Sequence, residues 1–117
     1  MTTQLGKELK KLRIDLGITL MGLSELVGLS PAFLSAIETG RKRVPDNFLD
    51  LLASKIPTVA NDRQRFEVLI NQARKEVRMP LESSNYQDAA LATEFARRFS
   101  SLSTEEKSRL HSILGGK

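Results

Sequence analysis

Apolar residues recur at intervals of three and four along nearly the whole chain, and no stretch alternates with period two. Leu5, Leu9, Leu12 and Leu16 predict an amphipathic helix over residues 3–16, ended at Gly17. Thr19 is placed to cap a second helix running to Val27, with Leu23 and Leu26 facing inward and Gly28 closing it. Ser30 caps a third helix over 30–39, and Pro31 takes its first position, where a missing N–H costs nothing. Leu34 and Ile37 mark the buried side, and Gly40 is the stop. A fourth helix, FLDLLASKI, starts from Pro45 or Asp46 and ends before Pro57. Asn61 or Asp62 caps a fifth, which puts Phe66, Leu69, Ile70, Ala73 and Val77 on one stripe before Met79-Pro80 breaks it.

Residues 79–86, around PLESSNY, have the composition of a linker. Two further helices follow in 87–117. The first aligns Leu91, Phe95 and Phe99 beside Ala92 and Ala96; the second opens on the capping box Ser103-x-x-Glu106 and carries Leu110, Ile113 and Leu114. The closing GGK is expected to fray. The fold class is therefore all-α: a five-helix domain over 1–78, a linker, and a short helical segment.

Composition narrows the chemistry. With 40% apolar and 27% charged residues the chain reads as an ordinary globular domain. No apolar run reaches the ~20 residues of a membrane span, and Met1–Leu9 lacks a signal-peptide core, so no membrane partner is expected. The absence of cysteine excludes disulfides, thiol nucleophiles and cysteine-held zinc, and fits a cytoplasmic location. A single histidine, His111, leaves little for metal binding or general-base catalysis. No metal, cofactor or catalytic residue is expected, and the protein reads as a non-enzyme.

The net charge of +4 is unevenly spread. Residues 1–45 carry seven cations against four anions, whereas residues 81–117 carry five of each. The excess lies around Lys7, Lys10, Lys11 and the run Arg41-Lys42-Arg43, a bias suited to an acidic polymer.

Residues 19–38 hold two short helices around a turn at Gly28, which is helix-turn-helix spacing, with the first helix laid against the pair. The stretch LKKLRIDLGITLMGLSELVGLSPAFLSAIETGRKRVP, residues 9–45, resembles the Cro and phage-repressor (XRE) family of helix-turn-helix regulators. The resemblance is carried by Arg13, Leu16-Gly17, Leu23, Leu26, Gly28, Ser30, Leu34, Ile37-Glu38, Gly40 and Pro45. It covers residues 5–57 and is silent on the C-terminal third.

The resemblance implies a repressor-like DNA-binding domain and a role for each matching position. Arg13 would pair with Glu38 through a bidentate contact, a structural ion pair that orients the reading helix. Thr19 would cap the second helix so that its first amides face a phosphate. Leu20 departs from the glutamine common at the next position and cannot donate to the backbone. Gly22 is also unusual inside a helix.

Pro31, Ala32, Ser35 and Ala36 would face the groove, with Ser30 adding a hydrogen bond. Phe33 either packs against residues 40–44 or lies along the sugar-phosphate chain, and support packing is the favoured reading. Arg41, Lys42 and Arg43 would hold phosphates at the groove edge, with Asn47 adding one more. So small a face cannot make the bidentate base contacts of arginine or glutamine. Specificity would rest on thymine methyl groups at Ala32 and Ala36, on DNA shape, and on dimer spacing.

A domain complete by residue 78 leaves Leu91, Ala92, Phe95, Phe99, Leu102, Leu110 and Ile113 in need of a cover, and a homodimer would supply it. The expected function is thus a homodimeric repressor on double-stranded DNA. Two other readings fit the same pattern: an antitoxin that represses its own operon and binds a toxin, and a protein-interaction module on the same fold.

Overall fold

Hydroxyl caps set where the first three helices begin. The computed structural model describes residues 2–82 and 84–115, and in it Thr3, Thr19 and Ser30 each accept a hydrogen bond from the backbone N–H three residues on. The helices they open are α1 (Gln4–Leu16), α2 (Leu20–Val27) and α3 (Pro31–Glu38). Gly17 and Gly28 close α1 and α2 in the left-handed conformation that glycine adopts without strain. Next come α4 (Phe48–Lys55), a single turn α5 (Pro57–Ala60), and α6 (Arg63–Arg74). The first unit, Met1–Arg78, therefore holds six helices; α5 adds one to the five that periodicity predicts.

Its core is continuous. Leu5, Leu9 and Leu12 of α1, Leu23 and Val27 of α2, and Leu34 and Ile37 of α3 meet Phe48, Leu52, Val59, Phe66, Leu69 and Ile70. Full burial of a side chain of this size contributes about 1.5–3 kcal/mol. α1 packs on α3 and α6, α2 on α3 and α4, and α4 on α5 and α6. Val44 and Ile56, in the connections either side of α4, are buried too.

Three positions correct the sequence reading of this core. Leu16 is 40% exposed, because α1 has turned it away by the last residue. Leu26 is also exposed, and Val27 takes the inward place beside Leu23. Val77 lies beyond the end of α6 and is 73% exposed. α6 ends early because Lys75 adopts a left-handed conformation, φ 63°, and is the one described non-glycine residue to do so. Its N–H donates to Gln72 O at 3.2 Å and the Glu76 N–H to Asn71 O at 3.3 Å, the paired bonds of a Schellman turn.

The second unit, Met79–Lys117, is described by itself. α7 (Tyr86–Arg98) is capped by Asn85, whose Oδ1 accepts from Asp88 N at 2.8 Å; a 3-10 turn follows at Phe99–Ser101. α8 (Thr104–Gly115) opens on a reciprocal box: Ser103 N–H donates to Glu106 Oε1 at 2.9 Å and Glu106 N–H to Ser103 Oγ at 3.1 Å. No described residue of this unit is buried. The linker proposed over 79–86 includes Ser83, and the fraying proposed for the tail covers Gly115–Lys117; Gly115 is the last residue of α8, while Ser83, Gly116 and Lys117 lie outside the described residues. Among the described residues no single helix is long and apolar enough to cross a membrane.

Candidate nucleic-acid interface

The local sequence of α3 sorts its side chains into two faces. Leu34, Ala36, Ile37 and Glu38 are buried, whereas Ala32 is exposed and Pro31 and Ser35 are half-exposed. At the start of the helix the exposed Ser30 uses its Oγ to accept from Phe33 N at 3.1 Å. The outward surface is then Ser30, Pro31, Ala32 and Ser35, a row of small side chains that lets a helix axis approach another surface closely. Phe33 is half-buried against the core and serves as support.

Ala36 does not belong to that surface. Only 6% exposed, its methyl group is turned into the protein, because a position two residues after Leu34 and one before Ile37 falls on the inner arc of so short a helix. Its carbonyl has a separate task, accepting from Arg41 N at 2.8 Å and Lys42 N at 3.3 Å. Methyl reading through Ala36 is therefore withdrawn, leaving Ala32 as the exposed methyl on α3.

The far end of α3 is gripped by α1. Arg13 Nη2 lies 3.2 Å from both Glu38 carboxylate oxygens, so one nitrogen serves two acceptors in place of the expected two-pronged fork. Glu38 is almost wholly buried, and Arg13 Nε is buried without a partner. The Glu38 carbonyl is held as well, accepting from Thr3 N at 3.0 Å and from Thr3 Oγ1 at 3.2 Å. Such an approach is open only to glycine at position 6: a Cβ there would lie 2.1 Å from Glu38 O. Thr3 and Gly6 thus position α3, and spacing along the chain gives no hint of it.

At the head of α2, Thr19 is exposed and its Oγ1 accepts from Gly22 N at 3.0 Å. The first-turn amides beyond it have no helical acceptor, and the helix dipole adds a partial positive charge there. Leu20 is half-buried against the core, which explains the missing polar anchor at this position. Gly22 sits over Ile18, whose Cβ would be 3.2 Å from an added methyl group. Ser24 Oγ donates to Leu29 O and so braces the turn between α2 and α3.

After α3 the loop carries the basic run. Arg41, Lys42 and Arg43 are all exposed; Arg41 Nε donates to Thr39 Oγ1 at 3.0 Å, and Arg43 is ion-paired with Glu76. Asn47 is exposed at the start of α4 and makes no capping hydrogen bond, so its amide is available. Arg74 of α6 fixes the base of this loop. Its Nε donates to Val44 O at 3.1 Å, its Nη2 donates to Pro45 O, and it pairs with Asp46 at 3.5 Å, as Arg78 does at 3.6 Å. Sequence reading offers Asp46 only as a helix start and does not single out Arg74, Glu76 or Arg78, because their contacts with the loop span about thirty residues and follow no motif.

In the second unit, Leu91, Phe95, Leu102 and Leu110 line a groove of about 290 Å³ together with Glu94, Arg98 and Glu106. Phe95 and Phe99 pack against each other in a tilted pair, ring centres 5.5 Å apart and planes inclined by 59°. Leu91, Phe99 and Ile113 are largely exposed, and Ala92, Leu102 and Leu110 are half-buried.

A family model described as a helix-turn-helix domain matches residues 4–65, more than half of the chain. Neither curated proteins nor solved structures return a match.

Proposed function

The chain belongs to the helix-turn-helix domain family of DNA-binding regulators, and we propose that it acts as a homodimeric repressor of the Cro and phage-repressor type. The observation that carries this reading is the small, outward face of α3, Ser30, Pro31, Ala32 and Ser35, preceded in the chain by the capped head of α2 and followed by the exposed basic loop 41–43. In this reading α3 enters the major groove, Ala32 meets thymine methyl groups, and Ser30 or Ser35 hydrogen-bonds a base edge. The amides behind Thr19, the side chains of Arg41, Lys42 and Arg43, and Asn47 hold phosphates and set the register.

Two copies joined through the apolar face of α7 and α8 would read two half-sites about one helical turn, ~34 Å, apart. Covering Leu91, Phe95, Phe99 and Ile113 is what favours this dimer, since large apolar side chains left in water mark an interaction surface. Occupying a pseudo-palindromic operator then blocks polymerase.

Selection of bound duplexes from a random pool tests the proposal. Two inverted half-sites at fixed spacing are expected, with affinity falling by orders of magnitude between about 50 and 200 mM salt if about six or more phosphates are contacted. Replacing thymine by uracil in the half-site should weaken binding at one position or more. A pool that never enriches, with affinity flat in salt, overturns the reading.

A further inference from the structure

The three cations of the loop after α3 are not equivalent. Arg41 is tethered through Nε to Thr39, the Lys42 ammonium forms no hydrogen bond or ion pair among the described residues, and Arg43 is paired with Glu76. We infer that Glu76 is an intramolecular competitor of DNA phosphate for Arg43, a residue that limits the affinity of the basic loop. The inference rests on the DNA-binding reading above and adds a residue to it.

Three observations place Glu76 in this role. First, the chain takes a costly route to bring it there. Lys75 occupies a left-handed conformation, φ 63°, at a position where glycine is usual. The Schellman turn that results folds residues 76–78 back toward loop 43–46 and away from the continuing helix axis. A strained, non-glycine turn at this point is a departure that a helix end alone does not require.

Second, the surroundings are fixed on both sides of the pair. Arg74, whose side chain is 13% exposed, donates to the carbonyls of Val44 and Pro45, and Arg74 and Arg78 both reach Asp46. Loop 43–46 and segment 74–78 are thereby interlocked, so Arg43 and Glu76 meet across a held gap.

Third, the chemistry is interchangeable. A carboxylate and a phosphodiester present the same acceptor oxygens to a guanidinium. Arg43 and Glu76 are each about half exposed, so the pair is open to an incoming phosphate and weak enough to be displaced by it. Arg43 cannot hold both at full strength. A carboxylate that stays nearby also cancels part of the charge that would otherwise release counterions from DNA.

The test compares wild type, Glu76→Gln, Arg43→Ala and the double variant for binding to a labelled mixed-sequence duplex over a salt series, by fluorescence anisotropy. Both positions lie on the surface, and circular dichroism checks that the helices are kept. Glu76→Gln is expected to tighten binding about two- to fivefold, the range of an exposed ion pair. Its dependence of log affinity on log salt should steepen by up to about one. In the Arg43→Ala background the same substitution should do nothing.

Unchanged or weaker binding by Glu76→Gln overturns the inference, the latter because it would make Glu76 a support for Arg43. An equal gain in the Arg43→Ala background overturns it too, as a mere change in net charge. Absence of salt-dependent binding by the wild type overturns the DNA reading and this inference with it. Ordinary wild-type binding beside an unresponsive Glu76→Gln overturns the inference alone.

Discussion

α1 and α7 are both thirteen residues long, both begin at a side-chain cap, and both carry apolar residues at helical spacing. Yet Leu5, Gly6, Leu9 and Leu12 of α1 are buried, while no residue of α7 is. Capping and periodicity suffice to make a helix; they do not supply what it packs against. The first unit buries a continuous apolar core of its own. The second unit, with Leu91 and Ile113 more than 70% exposed, has organised its surface without covering it. That difference separates a domain with its own buried core from a segment that, in the proposed dimer, would draw stability from association.

Truncation in the two regions should therefore have unlike consequences. Leu34→Ala removes a side chain with no exposure at all from the centre of the first unit, and should lower its unfolding free energy by about 2–5 kcal/mol, read by thermal or denaturant melting. Phe95→Ala, in contrast, should cost less in the melt of the first unit and appear in sedimentation as a shift toward monomer at equal concentration. If the two substitutions destabilise the first unit alike, the contrast is broken.

Gly6→Ala tests how tightly the first unit is closed. A methyl group 2.1 Å from a backbone carbonyl must push α1 off α3, for an expected loss of about 1–3 kcal/mol and weakened protection of the Thr3 amide from exchange. Wild-type stability in this variant would show that the α1–α3 contact is slack.

The smallest effect expected lies in the second unit. The backbone N–H of Ser103, and after it the Ser103 hydroxyl, hold the Glu106 carboxyl below its usual range. A depressed carboxylate contributes its capping above the unfolded pKa and loses it as pH falls through the folded one. Acidification should thus fray the start of α8 while α1 stays intact, seen as a change at the Ser103 amide by NMR. In Glu106→Gln that response should vanish.

The local features of both units were legible in the sequence, because they depend on residues three or four apart. The caps at Thr19 and Ser30, the stops at Gly17 and Gly28, and the box at Ser103 and Glu106 are of this kind. α5 was not legible, since four residues are too few to show a period. The end of α6 was hidden because a lysine does there what glycine usually does.

The choice of Leu26 over Val27 and of Ala36 as a groove residue failed for a common reason. In helices of eight residues, shifting the apolar arc by a single position costs the pattern almost nothing. The grip of Thr3 on Glu38 and that of Arg74 on residues 44–45 lie outside any such pattern, being contacts that only the folded chain brings together.

The division of α3 into a buried arc and a small outward arc bears on how such a protein changes its targets. Leu34, Ile37 and Glu38 are committed to the scaffold, but Ala32 lends no buried surface and Ser35 little. A longer amide or guanidinium at the exposed Ala32 would extend from the protein surface rather than into the core. If α3 reads DNA as proposed, the helix is accordingly a near-blank template, whose preference would be rewritten at its outward positions while the scaffold behind it stays as it is.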